Sequence, residues 1–388
     1  MRKKEEQRGV ALLMVLISVV MLTAMVTDLL TDNEVELASA VNHRQSLQAE
    51  HLARSAVNLS RLLLSMQPVV DRGIKSFSVP LWKFANLILQ PFSDPSKAGL
   101  FGKLTGVSLD EATGLGVDQG SFSVQIVDED AKLNINKGFQ NAQKELVARQ
   151  LMAFFAPPQF DDFFGESLDE DGKVPRDVLI SEIIDWTDDD EETYGFQGGV
   201  EDGYYTGLEK PYERKNAPFD SLQELHLVKG VTEDIWKTFV DPDPSKPDKR
   251  MMTIWSSGKI NVNTAPPGVL LMAICLISAQ AGDLMVCDPN NMGNLLAIIG
   301  IVTQMRKFGF AFKRVSDFTK LMAEPLTGVT GVSLKRGLAS MYLTTKSNIF
   351  SIYAKGNVGE IEKRIHAVID LRNQATAAGG RYIYWRMD

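Results

Sequence analysis

From Val10 to Gln67 the chain contains neither glycine nor proline. The two residues that most often interrupt a helix are therefore missing from one long stretch. Its first part, VALLMVLISVVMLTAMVT from Val10 to Thr27, also carries no charge. An apolar run of that length is just sufficient to cross a bilayer as a helix. The second part is amphipathic. Ala49, Leu52, Ala53, Ala56, Val57 and Leu63 recur at three- and four-residue steps, while Arg44, Glu50, Arg54, Asn58 and Arg61 fall elsewhere. A single helix over this stretch would be about 87 Å long at 1.5 Å per residue. Half of it would lie in lipid and half against a soluble unit, with Pro68 expected to end it.

The flanks orient the segment. Arg2, Lys3, Lys4 and Arg8 precede it, and Asp28, Asp32 and Glu34 follow it. The positive-inside rule puts the start in the cytoplasm and the bulk of the chain across the membrane. A cleaved secretory signal would have a shorter apolar core followed by a small-x-small site, which LTAMVTDLLTDNE does not offer. A plain membrane anchor remains open on these residues.

Beyond the helix, 388 residues are enough for two or three packed units. A hydrophobic share of 44% with 23% charged residues excludes a disordered chain or a polytopic membrane protein. The net charge of −8 opposes a nucleic-acid coat, and two cysteines with four histidines leave little for a zinc or iron–sulfur centre. Ser121–Asn136 reads as two short strands around an acidic turn, after an irregular Val79–Gly120. Helices are expected at Ala142–Phe155, Val178–Trp186, Pro267–Ala281, Met292–Phe308 and Ser316–Met322. Two more, short ones, are expected around Lys229–Gly230. Lys259–Thr264, Ile349–Ala354, Ile361–Arg372 and Tyr382–Met387 alternate as strands. The order gives an α+β fold in which helices interrupt an antiparallel sheet.

A short basic leader ending in Gly9, an apolar stretch opening at Val10 and one long helix resemble the type IV pilin and pseudopilin class. The resemblance implies that a prepilin peptidase cuts between Gly9 and Val10 and methylates the new terminus. Most members have glutamate at the fifth mature position, where this chain has Met14. In that, and in its length, it resembles the K-type minor pseudopilins of type II secretion. DAKLNIN, IIDWTDDDEETYG, GVEDGYY, NAPFDSLQELHLVKG and KINVNTAPPGVL are similar to that family and stand in the family's order.

The implied fold is a long pilin helix with a small antiparallel sheet, interrupted by a large all-α insert. The implied layout is a leader at 1–9 and the helix at 10–67, with 10–30 in the membrane. A pilin-like head follows at 68–139 and 346–388, with the insert at 140–345 and its acidic loop at 185–216. The implied role is to cap a pseudopilus with partners of the I and J types and the major pseudopilin. Such a protein sits in the inner membrane with its bulk in the periplasm. A carboxylate in lipid is costly unless paired, and a subunit with none above it has no neighbouring amine to neutralise. Val10, Met14 and the Ala49–Val57 stripe are the candidate assembly residues, although the stripe would equally serve to pack the helix on its own head.

Asp185–Asp202 holds eight acids and no base. Crowded carboxylates repel each other and need a counter-charge when folded. By charge alone the segment reads as a solvated loop. The resemblance implies calcium, a hard cation that takes oxygen ligands. The candidate ligands are Asp188, Asp190, Glu201 and Asp202, with Asn216 from the following segment; Asp185 could instead close a helix. The spacing does not follow the EF-hand ladder, and no phosphate-binding loop is present. A hydrolase using paired carboxylates from this loop is the enzyme alternative. It requires one carboxyl raised in pKa by an apolar pocket. Leu222–Phe239 resembles a helix–hairpin–helix, but its acidic surroundings argue against nucleic acid. Cys275 and Cys287 could pair or remain buried thiols.

Overall fold

A computed structural model describes residues 2–73, 80–93, 120–195, 203–280, 287–288, 291–324, 330–372 and 379–388. Helix α1 runs from Arg2 to Gly73 with Pro68 inside it, so the expected stop at Pro68 does not occur. The proline removes one main-chain hydrogen bond, but the turn is held from both sides. Leu63 and Leu64 are buried below it. Gln67 donates to Asp71 Oδ1 at 2.8 Å and accepts the Leu81 N–H at 2.8 Å.

The two halves of α1 meet different surroundings. The apolar residues from Val10 to Leu30 are exposed on every face. Among the described residues this is the one helix long and apolar enough to cross a membrane. Ala49, Leu52, Ala53, Ala56 and Val57 are instead buried, so the stripe packs on the chain's own head. α2 (Ala85–Ser93) lies in a segment whose prolines predicted irregular chain. Its Asn86 side chain accepts the Val124 N–H, 3.3 Å away, from β1 (Ser121–Asp128).

The chain then leaves the head and builds a second unit before returning. Its elements are β2 (Leu133–Asn134), α3 (Asn141–Phe155), α4 (Arg176–Asp185), β3 (Met252–Thr253), β4 (Ile260–Asn261), α5 (Pro267–Gln280), α6 (Met292–Lys307), α7 (Val315–Ala323), α8 (Arg336–Tyr342) and β5 (Leu343–Thr344). Leu222–Leu227 forms a 3₁₀ turn, and Glu233–Val240 an α turn that widens into a π turn. α5 is buried on every side from Val269 to Ile277 and forms the centre of this unit. β2 pairs with β3 and β4 with β5, both parallel, so the insert is mainly helical but not all-α. Its core begins at Leu133 and Ile135, earlier than the expected boundary at 140.

β6 (Ile349–Val358), β7 (Ile361–Asp370) and β8 (Arg381–Met387) complete an antiparallel sheet in the order β1-β6-β7-β8. Ile126 faces Ile352, and Ile352 faces Ala367. α1 lies on this sheet at very close range. A Cβ at Gly356 would stand 2.0 Å from the Ala49 carbonyl oxygen. Glycine opposite alanines lets helix and sheet touch backbone to backbone.

The seam between the two units is polar. Asp128, Glu129 and Asp130, at the end of β1, are all buried. Asp130 accepts the Ser257 N–H at 2.8 Å and the Asn348 N–H at 2.8 Å. Asp128 accepts the Thr264 and Ser347 hydroxyls. The exit from the head, the β3–β4 segment and the return into β6 are thus tied at one point. Burial, reinforced by Asp130, pushes Asp128 up to about 7. Burial opposes ionisation of Glu129 too, but Lys132, 2.9 Å away, holds it below the usual carboxylate range.

Candidate functional site

α4 ends at Asp185, and the acidic segment begins from this helix end. Asp185 is buried; its Oδ1 accepts the Tyr194 N–H at 2.8 Å and its Oδ2 lies 3.8 Å from Arg214 Nη1. It closes a helix and pins the loop, the second of the two roles open to it from the sequence. Burial, with Asp188 adding repulsion, raises it to about 7 against the pull of Tyr194 and Arg214. That is the raised carboxyl the hydrolase alternative requires. Its oxygens, however, are committed to Tyr194 and Arg214, beneath its own loop.

Asp188 follows on the same turn, its N–H donating to Ile184 O at 3.0 Å. Its carboxylate is wholly buried, and neither oxygen accepts a well-formed hydrogen bond among the described residues. Its charge is met by Lys144 of α3, whose Nζ lies 2.9 Å from Asp188 Oδ2 and 2.6 Å from Asp190 Oδ2. Burial raises Asp188, whereas the hydrogen bond from Lys144 lowers Asp190. Burial works against the charge on Lys144, but its bonds to Asp190 and Asp188 raise it above the usual lysine range.

Trp186 points the other way, into an aromatic cluster. It stacks on Phe219 with centroids 6.3 Å apart and meets Tyr205 and Tyr212 edge-on. The segment from Tyr212 to Phe219 is thereby wrapped around the base of the acidic loop. Asn216 lies in it with φ +46°, a left-handed conformation that asparagine tolerates. Its Oδ1 is buried and has no hydrogen-bond partner among the described residues. Buried oxygens left unpaired are unusual and call for an explanation.

Of the five candidate ligands, the structure brings Asp188 and Asp190 together through Lys144. Asn216 Oδ1 is buried with no hydrogen-bond partner among the described residues, and Glu201 and Asp202 lie outside those residues. Among the described residues no three His, Cys, Asp or Glu side chains converge as a metal group. Lys144 Nζ already supplies the positive charge that the carboxylates of Asp188 and Asp190 need. Lys144 is the residue that sequence reasoning missed. The segment itself holds no base, and a lysine 46 residues before Asp190 carries no mark of its destination.

At the other end of the molecule Gly9, Val10 and Met14 follow one another along the exposed part of α1. Val10 is 56% and Met14 63% exposed. A side chain at Gly9 would meet nothing within 4 Å, so packing gives no reason for glycine there. The Met14 carbonyl accepts the Ser18 hydroxyl at 2.9 Å. Cys275 of α5 is bonded to Cys287, their Cα atoms 5.6 Å apart.

A long helix laid on a four-stranded antiparallel sheet, with a second unit inserted between its first strand and the rest, is a pilin-like fold. Residues 131–240, the stretch holding α3, α4 and the acidic loop, match the family described as type II secretion system (T2SS), protein K. The type II secretion system protein K of Aeromonas hydrophila is 25% identical over 190 residues. That alignment spans about half of the chain and about half the length of the relative: 49% of each. A chain from the crystal structure of the GspK-GspI-GspJ complex of the enterotoxigenic Escherichia coli type 2 secretion system has a similar fold. The TM-score is 0.54 at 17% identity, covering 91% of this chain and 99% of that one. The sequence likeness to protein K thus covers part of the chain, and the likeness of fold covers most of it.

Proposed function

We propose that this chain is a minor pseudopilin that sits at the tip of a type II secretion pseudopilus and helps to start its assembly. The observation that carries this reading is the division of α1, one half apolar on all faces and the other clasped by a sheet that bears an outsized second unit. The span fits a bundle of like helices in the inner membrane, and the bulky head, on the periplasmic side, fits the end of a fibre better than its shaft. Met14 agrees with that place, since a terminal subunit needs no acid for a neighbour's amine. Gly9 and Val10 mark the site for a prepilin peptidase and for methylation. The partners are other minor pseudopilins of the I and J types, with the major pseudopilin below. The role is structural rather than enzymatic, the buried carboxylates being engaged by backbone, Lys144 and Arg214.

The acidic segment belongs to the same reading. Asp188, Asp190 and Asn216, with Glu201 and Asp202, would hold calcium, whose positive charge offsets their mutual repulsion. The test of the whole is mass spectrometry of the full chain extracted from membranes, with co-purification of the other minor pseudopilins. A methylated Val10 terminus and recovery of I- and J-type partners are expected. An intact Met1 and no such partners would leave a simple membrane anchor.

A further inference from the structure

We propose that the turn between α6 and α7 is a docking knob for another protein, one that offers Phe308 and Phe310 an apolar pocket rimmed by carboxylates. The knob belongs to the helical unit, and its role does not depend on the proposed place in a fibre. Phe308 is 68% and Phe310 49% exposed. Single exposed apolar residues are ordinary, but two aromatic rings two residues apart on one turn are not. The turn is also built to hold them. The Phe308 and Phe310 N–H groups both donate to Met305 O at 3.1 Å, and Gly309 between them has φ +84°, which glycine adopts without strain. Arg306 is fixed by the carbonyls of Val262 and Ala265. Asn263 grips Phe312 from both sides, accepting its N–H at 2.8 Å and donating to its carbonyl at 2.9 Å. The Phe312 ring turns inward and meets Phe318 edge-on. The third aromatic residue thus anchors the turn while the first two stand out from it.

The charge around the rings specifies the chemistry of the partner. Between Asn291 and Asn348 the sequence has eight Lys and Arg against two Asp and Glu, in a chain whose net charge is −8. Lys307, Lys313 and Arg314 flank the rings in sequence and are exposed. The nearest acid along the chain, Asp317, is taken by Arg314 at 2.9 Å. Apolar anchors inside a cationic rim call for the reverse on the other side, an apolar pocket with an acidic edge. A turn already fixed in its bound shape loses little freedom on docking, which favours a shaped protein pocket over a fluid surface. An anionic membrane asks for no such fixing, and α1 is already long and apolar enough to anchor the chain in lipid.

The test places a photoreactive residue, Phe308→benzoylphenylalanine, in the full chain within cells that make its natural neighbours. Leu227→benzoylphenylalanine, at another exposed apolar position, is the control. Adducts are mapped by mass spectrometry. Position 308 should give an adduct with one other protein, at a peptide where apolar residues lie next to Asp or Glu, and position 227 should not. Lys307→Glu combined with Lys313→Glu should lower the yield about tenfold or more, and replacing the partner's acids by lysine should restore it. Because the rings and lysines are exposed, neither this pair nor Phe308→Ser with Phe310→Ser should lower the melting temperature. Adducts with lipid alone, or with a second copy of this chain, would overturn the knob, as would a yield indifferent to charge reversal or no adduct above the control. A lower melt in either double variant would do the same, since those side chains would then serve the fold.

Discussion

The head and the helical unit are held together by opposite means. In the head, the buried polar side chains among the described residues are hydroxyls, Ser60 and Ser351, and the core is alanine, valine, leucine, isoleucine and two phenylalanines, Phe122 and Phe350, with alanines of α1 pressed against a glycine. The helical unit and its seam bury Asp128, Glu129, Asp130, Lys132, Asp185, Asp188, Arg214 and Asp241. It adds a disulfide and an aromatic cluster around Trp186. A core built on contact alone tolerates no added volume, but is indifferent to pH and ions. A core built around buried charge depends on each partner being present, because a carboxylate left alone in the interior is expensive.

The sharpest way to break this contrast is at Gly356. Gly356→Ala places a methyl group 2.0 Å from a backbone oxygen of α1, which cannot rotate away. The head should lose about 3 kcal/mol or more, read by chemical unfolding; a loss under about 1 kcal/mol would mean that helix and sheet are not in firm contact. The helical unit should respond instead to ions. Chelation is expected to lower the melting temperature, since calcium at a hundredfold excess over its dissociation constant contributes about 2.7 kcal/mol. A melt that is the same in EDTA and in millimolar calcium would remove the metal site.

Replacing both Cys275 and Cys287 by serine should cost about 2–3 kcal/mol, given the 12-residue separation they close. That loss should appear in the helical unit, and reducing agent should reproduce it in the parent chain. A smaller effect is expected at the seam. Asp128, pushed up to about 7 from an ordinary 3.8, binds its proton more readily folded than unfolded. Its ionisation therefore costs stability as pH rises between those values, and acidification restores it. Asp128→Asn should gain on the parent as pH rises from 4 to 8, and a difference independent of pH would contradict this. The smallest effect is at Met14. Its side chain is exposed on a bare helix, so Met14→Glu should leave the soluble unit's unfolding within about 0.5 kcal/mol. A larger shift would mean that the membrane half of α1 touches the head.

Much of the architecture was legible because it rests on periodicity. The stripe from Ala49 to Leu63, the alternation of Ile361–Asp370 and the uninterrupted apolar α5 each encode their own burial. Pro68 misled because a local rule competes with packing further along the helix: Leu63, Leu64 and Gln67 hold a turn that proline alone would end. α2 was hidden by its prolines, and β2 to β5 by being two residues each, too short for any pattern to show. In the candidate site the acids were visible as composition, and Asp185 as a helix end. Lys144 and Arg214 were not, since pairing across the fold leaves no trace in local spacing. Nor could the sequence say whether Ala49–Val57 would face a neighbour or its own sheet; Gly356 decides that, three hundred residues later.

The hydroxyls of the exposed half of α1 have one more consequence. Ser18, Thr23, Thr27 and Thr31 each turn back onto the helix, bonding the carbonyls of Met14, Val19, Thr23 and Thr27. From Val10 to Thr27, before Asp28, the helix thus presents no outward polar tooth, and in a bilayer it would spin about its long axis at little cost. In the proposed assembly the compass bearing of the crown would then come from the neighbours it leans on, so that a lone copy in lipid would have none.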